Sequence, residues 1–508
     1  MKSRNLLSFH SMILVIALAT PVCLVAQEPT DGQAKQHTGY KLIDLGTFGG
    51  PNSGNNSPSV ILNSEGAVTG NADTPTPDPY APNCFGDCFV QHAFQWRKGL
   101  LTDLGVLPLG YSSYTNAINS HGQIVGQSQN GLVDALAGIP EFVATVWQDG
   151  QVIDLGTFGG GFSLATANNN RQQVVGCAFN DIPDSFTPTN VLYGIGFEPR
   201  QLRAFRWQGK QLRDLDTLGG PDACAVWIND RGQIVGASFT NSIVNPTTSL
   251  PTLDPFLWEN GRMLDLGTLG GTLGFAVIIN NKGQVAGQSD LAGDVDAHAF
   301  LWERGTLTDL GTLGGTFSTP LWLNDAGEVV GLATTPGDQI IHASVWRHGV
   351  VTDLGTLDGD CSSVALALNA EGQIVGQSFP CDGTSARAVM WEKGGPALDL
   401  NNLVKPGAGL QLTEPKIIND AGEIVLVGLL PNGDVHSVVL IPCDEGEESC
   451  GNAAVPKSNR PSQAPIIGRS SMSPGNPKLG IRPGETLGRF WARWASRYHT
   501  AVPGAPRN

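Results

Sequence analysis

Residues 309–352 read DLGTLGGTFSTPLWLNDAGEVVGLATTPGDQIIHASVWRHGVVT, and the same pattern recurs along the chain. An Asp-Leu pair opens each copy, with the Asp at Asp44, Asp103, Asp154, Asp214, Asp265, Asp309, Asp353 and Asp399. An Asn follows at Asn63, Asn119, Asn169, Asn229, Asn280, Asn324, Asn369 and Asn419. A Trp closes seven copies, at Trp96, Trp147, Trp207, Trp258, Trp302, Trp346 and Trp391, and Leu440 takes its place in the eighth. Each copy offers four short runs rich in β-branched and aromatic residues and bounded by Gly or Asn, such as FAVIIN, GQVAGQS, HAFLW and GTLTDLG. None has helical length and period, so all read as strands.

Four strands per copy of about 44 residues fit one blade of a β-propeller. The Asn, with a Gly three residues later, frames a tight turn between the first two strands, because Asn bonds its own backbone and Gly supplies positive φ. Gln172 replaces that Gly in the third copy. Four residues before the Asn stands a small or compact residue (Ser59, Thr115, Ala165, Ala225, Ala276, Pro320, Ala365 or Pro415), as crowding near a common axis requires. The pattern starts with a fourth strand near Tyr40–Leu45 and ends with a third strand near His436–Leu440. Pairing the two predicts an all-β, eight-bladed propeller over residues 40–442, closed by its N- and C-terminal strands, which removes exposed sheet edges. An open β-solenoid is disfavoured by the varied insertions.

The sequence HAFLW…DLGTLGG…IN..GQVVGQS resembles the bacterial extracellular repeats called the HAF family, after residues such as His298-Ala299-Phe300. The resemblance covers about four-fifths of the chain. It implies export, a repeat architecture and no established activity. It also implies a C-terminal sorting anchor, for which this chain shows no hydrophobic tail.

Composition narrows the options further. The net charge is −16, and the segment from Asn452 to Asn508 is basic, so the body is more acidic still and repels phosphate backbones. No nucleic-acid partner is expected. Residues 1–26 read as a signal peptide, with Lys2 and Arg4 before the apolar Met12–Val25 stretch, which points to a secreted or periplasmic protein. Residues 27–39 form a linker. After the repeats, residues 443–484 read as a disordered Pro/Ser-rich linker, 485–499 as a short basic amphipathic helix and 500–508 as a disordered end. The helix places Leu487, Trp491, Trp494 and Tyr498 at helical spacing among arginines, so membrane contact is expected only through it.

Eight cysteines remain after the leader, an even number in an exported chain. Cys361 and Cys381 lie nearly equidistant from a hairpin turn. Cys84 with Cys88, and Cys443 with Cys450, share single loops. Cys177 and Cys224 are left by elimination and would link consecutive blades.

The repeated polar residues read as structural. One catalytic site needs one constellation, not eight equal Asp residues, and a buried Asp at a strand end accepts backbone N–H groups. His92, His298, His342 and His436 stand before the Trp position and are similar to the His that bridges to Asp in tryptophan–aspartate repeats. Val143, Arg203, Asp254 and Arg387 fill that place in the other copies. No P-loop, HExxH or GxSxG occurs, and no metal or cofactor is expected.

The copies differ mainly in the loop between the second and third strands, which copies one to four lengthen. These insertions share one face and carry Tyr80, Phe85, Asp87, Glu141, Phe142, Asp184, Phe186, Tyr193 and Phe197, aromatics and acids suited to a glycan or protein partner. The leading expectation is a monomeric extracellular recognition module without enzymatic activity. A structural matrix protein and a polysaccharide-acting lyase or hydrolase are the alternatives.

Overall fold

The computed structural model describes residues 39–443 apart from 56–58, 82–87, 136–137, 185, 187–198, 247, 249, 383–385, 393 and 406–408. The leader and the segments after Cys443 lie outside the described residues. The described chain forms eight four-stranded antiparallel units in sequence order. Blade six is representative: Ser318–Leu323 (strand A), Val329–Thr334 (B), Ile341–Arg347 (C) and Val350–Asp353 (D). The eighth blade combines Gln411–Ile418, Ile424–Leu429 and Val435–Pro442 with Tyr40–Asp44 as its strand D. Tyr40 pairs with Pro442 and Asp44 with Val438, so the chain's start seals its finish, as the repeat predicts. A parallel pair, Leu253 with Leu273, ties blades four and five, and Ala297 with Phe317 ties blades five and six.

Strand A is innermost, and its small residues explain why. Thr115, Ala165, Ala225, Ala276 and Ala365 are fully buried. A Gly at the centre of strand B lies against the same segment. A Cβ added at Gly176 or Gly236 would stand 1.9 Å from the carbonyl oxygen of Leu164 or Cys224. The repeat-closing Trp residues, Trp258 excepted, are buried as core at 9 % exposure or less. Each Asn-x-x-Gly turn places its Gly at positive φ, and Gln172 adopts φ 58° where the others have Gly.

Each strand A of blades two to eight carries a register shift at its middle, for example between Thr115 and Ala117 and between Pro415 and Ile417. The extra residue of a bulge is unpaired and its side chain is re-aimed. At this place stand Asn116, Thr166, Val226, Val277, Leu321, Leu366 and Lys416. Asn116 and Thr166 reach the backbone of the next blade, donating to the carbonyls of Ala165 and Ala225.

The repeated Asn residues link all eight blades. Each Nδ2 donates to the backbone carbonyl of the Asn one blade on: Asn63 to Asn119, Asn119 to Asn169, Asn169 to Asn229 and Asn229 to Asn280. The series continues from Asn280 to Asn324, Asn369 and Asn419, and Asn419 returns to Asn63 at 3.3 Å. The ring closes in hydrogen bonds as well as in strands.

Cys177 is bonded to Cys224, between blades three and four, and Cys361 to Cys381, within blade seven. Cys88 and Cys443 are also disulfide-bonded, while Cys84 and Cys450 lie outside the described residues. These bonds fit an oxidising extracellular or periplasmic compartment. Among the described residues no helix is long and apolar enough to cross a membrane.

The Asp of each Asp-Leu pair is not buried, contrary to the sequence expectation: seven are exposed and Asp399 is half-buried. The strand ends at the rim, where water supplements the carboxylate. Each still accepts the backbone N–H two residues on, from Gly46, Gly105, Gly156, Asp216, Gly267, Gly311, Gly355 and Asn401. In four blades a His Nδ1 meets this Asp at 2.8 to 2.9 Å: His92–Asp103, His298–Asp309, His342–Asp353 and His436–Asp44. Arg203 meets Asp214 in the same way.

The His342–Asp353 pair carries a pH dependence. The hydrogen bond to Asp353 holds the His342 pKa above its usual 6.5 against desolvation. Burial pushes Asp353 up, but the His342 hydrogen bond and the Gly355 N–H leave it below its usual 3.8. A raised His contributes stability below its unfolded pKa and loses it as pH rises through the folded value. A lowered Asp contributes above its unfolded pKa and loses it on acidification. The thermal-melting gap between the native chain and His342→Ala is therefore expected to be widest between these two usual values and to close above neutrality. An equal gap at all pH values would refute this bracket.

Candidate active site

Blade four breaks the bracket. Its strand C, Leu253–Glu259, puts Asp254 where the other blades carry His, Arg or Val, opposite the usual Asp265 at the end of strand D, Arg262–Asp265. Two further changes accompany it. In blades one, two, five, six and eight the residue after the bracket position donates its N–H to a Ser of the next blade, as Ala93 does to Ser113 and Ala299 to Ser318. Here that residue is Pro255, which has no N–H, and the facing residue is Gly274, which has no hydroxyl. A Cβ on Gly274 would lie 3.1 Å from the Pro255 ring, so the Pro and the Gly fit each other.

The electrostatics follow from the exchange. A His or Arg opposite the Asp supplies a compensating charge, whereas a second carboxyl repels it. Asp254 is 9 % exposed, and its Oδ1 has no hydrogen-bond partner among the described residues. Burial, the charge of Asp265 and the hydrogen bond to Asp265 together push the Asp254 pKa up to about 7. Asp265 itself keeps the Gly267 N–H at 2.7 Å. Of the two carboxyls, Asp254 is the one whose surroundings favour the protonated form.

A second perturbed acid stands at the same junction. Asp290, 5 % exposed at the end of strand B of blade five (Val285–Leu291), is pushed up to about 7 by burial and by the charge of Asp294. Asp294 accepts the Thr272 N–H at 2.6 Å, and Thr272 adjoins Leu273, the partner of Leu253. Both acids sit at strand ends on the face of the long loops.

Of the residues that the loop-face expectation names, Phe85, Asp87, Tyr193 and Phe197 lie outside the described residues. Tyr80 is half-buried and meets Tyr111 edge to face at 6.1 Å. Phe142, 3 % exposed, is core and packs on Tyr114, so its ring is not on the surface. Phe186 packs on Phe239. Glu141 accepts a hydrogen bond from Asn130, and Asp184 is half-buried. The sequence does show Asp254 in the His slot, but its meaning needs the partner across the strand pair.

No family model and no curated protein matches the chain. Solved structures do. The chain is similar to the Pyrococcus horikoshii acylaminoacyl peptidase, with 11 % identity, TM-score 0.42 and coverage of 74 % of this chain and 57 % of that one. It is similar to Porphyromonas gingivalis dipeptidyl peptidase 4, with 9 % identity, TM-score 0.43 and coverage of 73 % and 56 %. It is also similar to the β-propeller domain of the Trilobed protease from Pyrococcus furiosus, with 8 % identity, TM-score 0.37 and coverage of 68 % and 95 %. The chain thus spans a little over half the length of the two whole peptidases. At these identities the likeness speaks to the propeller fold alone. These three neighbours are peptidases or the propeller of one, while others are TolB structures, so the expectation of a recognition module without enzymatic activity is not carried forward. The enzyme alternative is the reading carried forward.

Proposed function

We propose that this chain is an exported propeller hydrolase of the HAF repeat type, in which Asp254 and Asp265 form the acid–base pair. The observation that carries the reading is a buried carboxyl, Asp254, set opposite Asp265 at the one bracket where a compensating or neutral partner is replaced by a second acid. Such a pair destabilises the fold unless a proton is held, and a local cost of this kind marks functional sites.

The position selects the bond, since Asp254 stands where the His of other blades meets its Asp at 2.8 to 2.9 Å. Glycosidases that use two carboxyls need them about 5 Å or more apart, on opposite faces of a sugar. Carboxyls side by side instead serve one water, as shared-proton dyads do. The ionised carboxylate takes a proton from water as its oxygen attacks an acyl carbon. The protonated carboxyl then gives its proton to the leaving amine or alcohol as the acyl bond breaks. An amide or ester therefore fits this pair better than the glycosidic bond of the sequence-based alternative. Export through a leader at 1–26 agrees with the disulfides.

The test is hydrolysis of peptide and ester panels by the full chain between pH 5 and 9 (an assay range of about four units around the pair's apparent midpoint). Asp254→Asn is expected to lower kcat by about a hundredfold or more while the fold stays intact. Native activity is expected to fall as pH rises past neutrality and Asp254 loses its proton. Equal turnover by native chain and Asp254→Asn would refute the assignment.

A further inference from the structure

A second departure from the repeat lies between blades three and four, toward the Asn turns. The residue before each repeat-closing Trp, or before Leu440, pairs with a residue of strand D. In seven blades both members are uncharged, as in Gln95 with Thr102, Leu257 with Leu264 and Leu301 with Thr308. In blade three they are Arg206 and Arg213, directly opposite in register. Like charges so placed destabilise a sheet. Arg206 makes no hydrogen bond or ion pair among the described residues, and its Nε is buried without a partner. Arg213 is exposed and donates to Gln211 Oε1 at 3.1 Å, a neutral acceptor. The adjoining carboxylates are taken: Asp214 meets Arg203, and Glu259 accepts from Gln233.

The aromatic partner departs as well. Trp258 is the one repeat-closing Trp that is half-buried rather than buried, and the Arg206 guanidinium lies over its ring, 5.0 Å from the centroid. Stacking of this kind holds a guanidinium in place without neutralising it, and leaves the donors at its Nη end open. Burial and the charge of Arg213 push the Arg206 pKa down, yet a guanidinium keeps its proton at neutral pH. Relief of the repulsion therefore has to come from an anion.

We propose that Arg206 and Arg213 clamp a phosphate group, either free or carried as a monoester on a small organic body. Two guanidiniums present two positive charges and two N–H forks, and a phosphate monoester brings close to two negative charges and three acceptor oxygens. A carboxylate brings one charge and leaves one arginine uncompensated. The net charge of −16 opposes a long polyanion, so a small ligand fits the site better than a polymer.

Titration calorimetry on the full chain with phenyl phosphate, inorganic phosphate and acetate, at fixed ionic strength, tests this. The tighter of the two phosphates is expected to exceed acetate at least about tenfold in affinity. Arg206→Leu and Arg213→Thr install residues that other blades carry at these places, and each is expected to weaken phosphate binding about tenfold or more. Tighter binding of phenyl phosphate than of inorganic phosphate assigns the site to monoesters, and equal or weaker binding assigns it to the free anion. Failure to bind either phosphate, affinity no greater than that for acetate, or unchanged binding in either variant overturns the proposal. If Arg206→Leu does not fold, the acetate comparison and Arg213→Thr still decide. Hydrolytic activity is read separately with Asp254→Asn, so loss of one assignment leaves the other standing.

Discussion

Deleting residues 40–44 from the full chain is expected to unfold the ring, and a synthetic peptide bearing those residues is expected to restore it. The strand Tyr40–Asp44 pairs along its whole length with Val435–Pro442. Tyr40 is 1 % exposed, and its ring packs with Leu400, Leu412 and Leu440. Burying an aromatic ring of this size contributes about 4 kcal/mol. The ladder, the Tyr40 N–H to the Leu403 carbonyl and the Asp44–His436 pair add several bonds of about 1 kcal/mol each. A total of about 8 kcal/mol lies inside the usual 5–15 kcal/mol range of whole-protein stability. Loss of the strand also bares the edge of Val435–Pro442, which invites pairing between copies. Thermal melting and size-exclusion chromatography would read both effects. A deletion variant that melts within about 2 °C of the native chain, far less than 8 kcal/mol predicts, would show that the seal does not hold the ring.

Much of this architecture is visible in the residues because it is local. The Asn-x-x-Gly turn, the four short runs and the hairpin geometry of Cys361 and Cys381 involve neighbours in sequence. The Cys177–Cys224 bond emerges by elimination, since the other cysteines have closer partners. The His–Asp bracket is readable because both members recur at fixed spacing. What escapes is interaction between copies. Asn229 reads as a turn former, yet its Nδ2 reaches Asn280, and no local rule announces that. Phe142 reads as a loop aromatic but begins a strand whose alternation points it into the core. The Asp-Leu acids read as buried because a strand end suggests shelter, whereas these strands end at a solvated rim. Asp254 reads as one more variant of the His slot. Its chemistry appears only when Asp265 is placed beside it and Pro255 and Gly274 are found to have given up the neighbouring Ser bridge together.

The Asn ring leads to the second large effect, a loss of about 3 kcal/mol on Asn229→Ala. In the native chain Asn229 Oδ1 accepts the N–H groups of Arg231 and Gln233, both at 3.0 Å. Its Nδ2 donates to Gln233 Oε1 at 2.8 Å and to the Asn280 carbonyl at 2.9 Å. The residue is 4 % exposed, so water does not replace what Ala removes. Four buried bonds at about 1 kcal/mol each, less some relaxation of the turn, give the estimate. Asn229→Asp separates the two halves of the role. It keeps the acceptors for Arg231 and Gln233 but removes both Nδ2 donations, to Gln233 Oε1 within the turn and to the Asn280 carbonyl, so its loss reports the donor half of the role. Denaturant unfolding of both variants measures the difference. If Asn229→Ala costs no more than the ~0.5 kcal/mol typical of a surface change, the ring is decoration and the blades are held by their cores. If Asn229→Asp is as stable as the native chain while Asn229→Ala is not, the Asn serves its own turn and the link between blades carries no energy.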